Sequence, residues 1–449
     1  MNYSARLTAV LTLETLQRHR RPGADVLDEI CTREQVSSID RNLAMNIVYG
    51  VLRQREYLSR LLQQFCRKPI RSLHPRLRLI LLCGLYQLLF LDRMPPSAII
   101  NESVETVKEF GMAKPLQGLV NAVLRTCLRE KPHLPGPAES GAAEPPVTNH
   151  PAWLVSRWQA HYGFETTRKI CTINNTQPPL CLRITSAVDR NEYLRILNGA
   201  GIQASPGDMA PHSVLIWDYR GAIVDLPGYD RGHFVVQDQA AQLAVMLLGP
   251  FSSQYAYLDG CAGVGGKSLQ VADMCEEPPK ELMCVEPHPG RFHLLKANFA
   301  RCQAADTVTF VNKTLEEVAQ TRHPPLFERI FIDAPCSGTG IIRKQPDIRW
   351  HRRADDIKRC AQRQLALLKN GAELLASNGV LVYATCSIEP EENGAVIERF
   401  LSEHDRFSVT DIHSLLPAVA QDFIVDGCFA PLPSTTMDGF FGARLVKVG

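Results

Sequence analysis

The chain has 449 residues, which at roughly 150 per domain suggests about three domains. Hydrophobic residues make up 45% and charged residues 21%, an ordinary globular composition that excludes wholesale disorder, a collagen repeat and a coiled-coil rod. Net charge is only +2, yet residues 1–131 hold 20 Lys/Arg against 12 Asp/Glu, while the remaining 318 hold 29 against 35. A basic N-terminal region can be the footprint of a nucleic acid or simply a solvated helix surface, and charge alone favours the second. The longest largely apolar run, Leu79–Leu91, has 13 residues, short of the roughly 18 that a membrane span needs. No basic stretch precedes an apolar core at the N-terminus, so no signal peptide and no membrane partner are expected, and the reading is cytoplasmic. None of the 14 cysteines is spaced C-x-x-C, and no H-E-x-x-H occurs. Neither a disulfide framework nor a metal site is therefore expected, and most of these cysteines read as small buried hydrophobes.

In chain order, residues 1–131 read as an all-α domain. An amphipathic stretch opens with Leu7, Val10 and Leu11. Asp40–Leu62 reads as a second helix with Asp40 as its N-cap and Leu43, Ile47, Val48, Val51 and Leu52 on its apolar face. Leu77–Leu91 is apolar almost all round, which predicts a buried central helix stopped by Pro95 and Pro96. Ala98–Phe110 and Leu116–Arg129 follow as helices. Residues 132–151 are proline-rich without hydrophobic periodicity and read as a linker. Residues 152–235 read as a small α/β connector, with helices at Ala152–Tyr162 and Arg190–Gly199 and strands at Leu180–Ile184 and Val214–Trp217. From residue 236 to 449 the pattern becomes strand, loop, helix. Strands are expected at Tyr255–Leu258, Leu282–Val285, Val308–Val311, Arg329–Ile332 and Val380–Ala384, which implies a parallel sheet with crossover helices.

The loop after the first of these strands carries Gly260, Gly263, Gly265 and Gly266 ahead of a helix. Such a loop lets backbone approach a ligand and presents unpaired N–H groups, so it points to a Rossmann-like cofactor site, although it is neither G-x-G-x-x-G nor a P-loop. The second strand ends at Glu286, where a carboxylate can accept from ribose hydroxyls of NAD or S-adenosylmethionine. The fourth strand runs into Asp333-Ala334-Pro335-Cys336 and the fifth into Thr385-Cys386-Ser387. In an open α/β sheet, ligands bind beyond the carboxyl ends of the strands. Two cysteines at that edge, one beside a carboxylate, are better read as chemistry than as packing.

The segments D-A-P-C-S-G-T-G, T-C-S-I-E-P-E-E-N and D-x-C-A-x-x-G-G-K, with DGFFGARLVK near the C-terminus, resemble the RNA cytosine-C5 methyltransferases of the Nop2/Sun type. GLYQLLFLDRMPPSAIINESVETVKEFG and GLVNAVLR resemble the NusB-like RNA-binding domain. The resemblance covers nearly the whole chain. It implies a multidomain protein: an all-α NusB-like N-terminal domain, a small α/β connector and a C-terminal α/β Rossmann-like class I methyltransferase domain. It also implies S-adenosylmethionine as cofactor and 16S rRNA as partner, whether as free RNA, as precursor or as small-subunit particle. The expected state is a monomer. The resemblance makes Cys386 the nucleophile at carbon 6 of cytosine and Cys336 the residue that assists product release. Asp333 would hydrogen-bond the base edge, with Lys267 near the same base. Cys261, Ala262, Gly263, Val264, Gly265, Gly266, Lys267, Glu286 and Asp333 would line the cofactor pocket. A thiolate adding at carbon 6 makes carbon 5 enamine-like, able to attack a methyl on a sulfonium. Two positions depart from the family pattern. The loop has Gly263-Val264 where the family has Ala-Pro, so a less rigid loop is expected. Asn312 stands where an Asp would meet the adenine amine, and its amide oxygen can accept the same bond.

Residues 341–364 hold eight Lys/Arg and three Asp/Glu, interrupted by Trp350. Basic residues with an aromatic beside a catalytic loop suit a splayed-out base, which makes Arg343, Lys344 and Arg349 candidate RNA contacts. The rival readings are tRNA or another rRNA site as target, a NusB-like RNA-binding protein with a decayed catalytic half, and a dehydrogenase, which would leave the cysteine pair unexplained.

Overall fold

The computed structural model describes all residues except 1–3, 67, 135, 137–146, 307 and 449. It forms two compact units, one of residues up to Gln177 with Ile342–Arg352, the other of Pro178–Ile341 with Arg353–Gly449. Among the described residues no helix is long and apolar enough to cross a membrane.

The first unit is helical. Its helices are Ala5–Arg18, Gly23–Arg33, Ser38–Arg53, Arg55–Phe65, Pro75–Phe90, Pro96–Glu109, Lys114–Glu130 and Ala152–Asn174, with a single turn at Ile348–His351. Pro75–Phe90 is the expected central helix: Leu77, Leu79, Ile80, Leu81, Leu82, Leu85 and Leu88 are all at most 3% exposed. Proline sits in its first turn, where no N–H partner is needed. Pro96 does not merely stop a helix but opens the next one.

Several elements differ from the sequence reading. The expected single helix Asp40–Leu62 is two helices, broken at Gln54. Its N-cap is Ser37, whose Oγ accepts from Asp40 N at 3.1 Å while Asp40 Oδ2 accepts from Ser37 Oγ at 2.7 Å. At the break, Asn149 Oδ1 accepts from Glu56 N and Tyr57 N, and Asn149 Nδ2 donates to Gln54 Oε1. The new helix start is thus capped by a residue far along the chain, which no local pattern reports. The helix Gly23–Arg33 is an addition to the elements expected from sequence. The expected linker ends in packed structure, with Asn149 and His150 at 0% and 1% exposed, while residues 135 and 137–146 of it lie outside the described residues. The helix Ala152–Asn174, which extends beyond the expected Tyr162 through a turn at Gly163, belongs to the first unit by its packing.

The second unit holds two sheets. Strands β1 (Leu180–Ile184), β2 (Ala204–Pro206), β3 (Ser213–Ile216) and β4 (Phe234–Val236) form an antiparallel sheet of order β2-β3-β1-β4, covered by the helix Arg190–Gly199 through buried Tyr193 and Leu197. The larger sheet contains β5 (Ala256–Asp259), β6 (Glu281–Val285), β7 (Val308–Val311), β8 (Phe327–Asp333), β9 (Leu375–Thr385), β10 (Phe407–Val409), β11 (Ile424–Val425), β12 (Cys428–Phe429) and β13 (Phe441–Lys447). Its order is β11-β12-β13-β9-β8-β5-β6-β7, with β10 pairing β13. The five strands β5 to β9 are parallel, and β13 is antiparallel to β9. β5 lies between β6 and β8, so the chain reverses its direction of winding there, and the loops leaving these carboxyl ends meet at one edge. The strand β13 and its short neighbours add to the strands expected from sequence.

Candidate active site

The loop from Gly260 to Gly265 leaves β5 and feeds the helix Gly266–Met274. Gly263 and Gly265 have φ of 57° and 89°, backbone that favours glycine. A side chain at Gly265 would also lie 2.6 Å from Leu295 Cδ1. The loop lacks proline yet is tied down: Ala262 N donates to Val285 O, Gly265 N to Ala262 O, and Asn298 Nδ2 to Val264 O. Asp259, at the end of β5, accepts from Cys261 N at 3.2 Å and from Ser268 Oγ at 2.6 Å, bracing both ends of the loop. Burial pushes its carboxyl up to about 6, against the opposing hydrogen bond of Ser268 and charge of Lys267. The same burial raises the Cys261 thiol.

Glu286 is 2% exposed at the end of β6. Its Oε1 accepts from His288 N at 2.7 Å and pairs with Arg291 at 3.2 Å, while Oε2 takes no hydrogen bond from the described residues. Exposed Asn312 follows β7 and donates its Nδ2 to Glu286 O at 2.8 Å, which leaves its amide oxygen as the open acceptor. These groups fit the ribose and adenine of a nucleoside cofactor: a spare carboxylate oxygen, a second acceptor beside it, and a glycine backbone nearby.

Beyond β8 and β9 the geometry brings the expected reactive residues together. Cys336 Sγ lies 3.2 Å from Cys386 Sγ. Lys267 Nζ donates to Asp333 Oδ2 at 2.5 Å. Burial alone would lower the lysine, but the charge and hydrogen bond of Asp333 outweigh it, with Asp259 and Cys386 adding, so the ammonium is held above its ordinary range. The Cys336 thiol is held well above the usual thiol range, first by its hydrogen bond with Cys386, then by burial and the charges of Cys386, Glu392 and Asp333. The two sulfurs share one hydrogen bond, for which either thiol can be the donor.

A buried polar network, absent from the sequence expectations, locks the two cysteine loops to each other. Glu392 Oε1 accepts from Ser337 N at 2.8 Å and from Gln364 Nε2 at 3.1 Å. Its Oε2 accepts from Ser337 Oγ and from Ser387 Oγ, the latter at 2.6 Å. Gln364 also donates to Pro335 O, and Thr385 Oγ1 to Asn393 Oδ1. Burial raises the Glu392 carboxyl, opposed by the bonds from Ser337, Ser387 and Gln364. Ser337 follows one cysteine and Ser387 the other, so a single carboxylate spans both. The signal is present in the E-P-E-E-N that follows Cys386, but nothing local says which of its carboxylates joins the two serines. Gly340 completes the clamp. Its N–H donates to Cys386 O at 3.0 Å, and a Cβ there would lie 2.1 Å from Gly439 O.

Two of the three expected RNA cations are corrected. Arg343 and Arg349 are 2% and 0% exposed inside the helical unit. Arg349 donates from Nη1 to Asn149 O and Asn175 Oδ1 and from Nη2 to Asn174 O. Burial pushes its guanidinium down to about 9. Neither guanidinium is accessible to a phosphate at these exposures, so both arginines are scaffold, Arg349 through its three protein acceptors. Lys344 is half-buried. The charge run reads as a surface in sequence because burial of arginine is rare unless its donors are matched, and the matching residues lie near 149 and 175.

Comparison with known proteins agrees with this layout. The family model for the 16S rRNA methyltransferase RsmB/F matches residues 245–446, the NusB family model matches 3–129, and a ferredoxin-like domain model of RsmF/B-like methyltransferases matches 150–219. The chain is 33% identical to the probable ribosomal RNA small subunit methyltransferase B of Bacillus subtilis, covering 99% of both chains. It is 34% identical to the ribosomal RNA small subunit methyltransferase B of Yersinia enterocolitica, covering 92% of each. Among solved structures, PH0851 superposes with a TM-score of 0.78 at 20% identity, covering 100% of this chain and 99% of that one. NSun6 from Pyrococcus horikoshii superposes with a TM-score of 0.58 at 16% identity, covering 67% of this chain and 98% of that one. These two share the fold.

Proposed function

This chain belongs to the ribosomal RNA small subunit methyltransferase B family, and on that footing we propose that it methylates carbon 5 of a cytosine in 16S rRNA through a covalent Cys386 adduct. It is an S-adenosylmethionine-dependent rRNA methyltransferase. The finer chemistry rests on one observation above all: two thiols 3.2 Å apart beyond adjacent parallel strands, beside a lysine–aspartate pair. We further take the enzyme to act in the cytoplasm as a monomer.

The bound cofactor supplies an electrophilic methyl on a sulfonium. Gly263 to Gly266, Glu286 and Asn312 would hold it, the spare Glu286 oxygen at the ribose and the Asn312 oxygen at the adenine amine. Asp333 keeps one carboxylate oxygen free of Lys267, suited to the exocyclic amine of cytosine. The Lys267 ammonium sits beside it to offset charge that develops on the ring. Cys386 adds its sulfur to carbon 6, which turns carbon 5 into an enamine carbon able to take the methyl. Loss of the carbon 5 proton then lets the carbon 6–sulfur bond break and returns Cys386 as thiolate. Cys336, in contact with that sulfur, serves the release step.

The test uses purified protein, labelled S-adenosylmethionine and unmodified 16S rRNA transcript, with tRNA alongside, followed by nucleoside mass spectrometry. Transfer to one cytosine of 16S rRNA is expected, and Cys386→Ser should abolish it. Cys336→Ala should accumulate a protein–RNA adduct that survives denaturation. Full turnover by Cys386→Ser, or transfer only to tRNA, would overturn the reading.

A further inference from the structure

The helical unit's positive charge is concentrated in one stretch. Residues 53–78 hold eight Lys/Arg and one acidic residue, Glu56, which accounts for most of the excess over residues 1–131. Part of this stretch lines a concave pocket of about 460 Å³ formed by Arg55, Glu56, Ser59, Arg60 and Trp350. Pockets of this size accommodate small ligands or a nucleotide unit.

The floor is built for a cation. Trp350 is anchored through its indole N–H, which donates to Leu52 O at 2.7 Å. Arg55 lies over its ring, with Cζ 4.8 Å from the centroid. The Arg55 guanidinium makes no hydrogen bond or ion pair with the described residues. Burial lowers it, and the like charge of Arg78 lowers it further, while Glu56 opposes this. The Glu56 carboxyl, itself raised by burial, lies within reach of the charges of Arg60, Arg349 and Arg55, so the pocket stays positive. Two buried donors that could have served an anion are already taken, since Glu56 N and Tyr57 N donate to Asn149 Oδ1. An anion here would be read by side chains, not by the helix end. Five N–H donors on a stacked, unpaired guanidinium among like charges fit phosphate oxygens.

We propose that this pocket binds the phosphodiester backbone of the RNA substrate, with Arg55 and Arg60 on phosphates, Ser59 in the wall beside them with its hydroxyl donating to Arg55 O, and Trp350 as the platform that orients Arg55. The assignment rests on the reading of the chain as an RNA methyltransferase. It moves RNA recognition from Arg343 and Arg349 to the helix Arg55–Phe65.

The test measures how affinity for 16S rRNA transcript, and for polyuridylate as a sequence-free polyanion, falls with salt. Each lost phosphate contact reduces the slope of log K against log salt by about 0.7–0.9. Arg55→Gln/Arg60→Gln in the full chain should reduce it by about 1.4–1.8 on both RNAs. The RNA KM should rise at least tenfold while kcat at saturating RNA and the heat of S-adenosylmethionine titration stay unchanged. Arg55→Lys/Arg60→Lys should retain most of the slope, which a merely structural role would not predict. Should the glutamine pair fail to fold, Ser59→Glu places a repelling charge in the same wall and should raise KM likewise. An unchanged slope and KM in the glutamine pair, or in Ser59→Glu, overturns the proposal and leaves the face to another partner, such as an acidic protein. A wild type whose arginine-dependent slope is present but which transfers no methyl would refute the proposed function and uphold the pocket.

Discussion

Glu392→Gln isolates the clamp between the two cysteine loops, because it keeps shape and removes charge. The amide oxygen can still accept from Ser337 N and Gln364 Nε2. The amide nitrogen replaces Oε2, so Ser337 Oγ and Ser387 Oγ, both donors to that atom, must turn round. Ser387 can redirect its proton to Thr339 Oγ1 at 3.2 Å, and the two serine oxygens lie 3.1 Å apart. Hydrogen bonds to a charged group are worth about 1.5–3 kcal/mol and neutral ones about 0.5–1.5, so four bonds lose roughly 4 kcal/mol. Relief from burying a charge, visible in the raised Glu392 carboxyl, returns part of this and leaves about 2 kcal/mol. That corresponds to about 30-fold if it falls on the alignment of Cys336 and Cys386. The assay pairs urea unfolding with single-turnover methyl transfer at saturating RNA. A lower midpoint and a transfer rate down ten- to a hundredfold, with little change in RNA KM, is expected. A variant with a wild-type midpoint and a rate within twofold would refute the view that Glu392 holds the cysteine loops in register.

Gly340→Ala should be far more damaging than Gly263→Ala. The first drives a methyl to 2.1 Å from a backbone oxygen, whereas the second meets nothing within 4 Å and strains only its φ of 57°, at about 1 kcal/mol; denaturation midpoints of the two compare them directly. Arg349→Met strips the donors from Asn149 O, Asn174 O and Asn175 Oδ1. It should destabilise the helical unit by about 1–3 kcal/mol per acceptor left dry, less the desolvation it relieves, without altering the salt slope of RNA binding. Asp259 gives a pH signature. Its folded value of about 6 lies above the ordinary 3.8, so the unfolded chain releases the proton first. Its contribution is greatest below about pH 4 and is lost as pH rises through about 6, a change of about 3 kcal/mol. Asp259→Asn should therefore gain on the wild type between pH 4 and 7 in urea unfolding, and a constant difference would contradict the buried-charge assignment.

The catalytic half is largely legible in the amino-acid sequence. Strands that end at or just before Asp259, Glu286, Asp333 and Thr385 follow from the alternation of short apolar runs with helical segments, and a parallel sheet places all four ends at one edge whatever its strand order. Chemistry at a strand end is local in sequence, so the motifs around Cys261, Cys336 and Cys386 carry their own position. What tertiary structure decides is where partners come from distant segments. The helix break at Gln54 exists because Asn149 caps the next helix. Arg349 looks like a surface cation until the carbonyls of Asn149 and Asn174 and the side chain of Asn175 take up three of its donors and make burial tolerable. Glu392 joins Ser337 to Ser387 across 50 residues of chain. Local propensity and hydrophobic period describe the neighbourhood of a residue along the chain. They do not report whether a charge has been given partners in the interior, and that alone separates a scaffold arginine from one that can meet RNA.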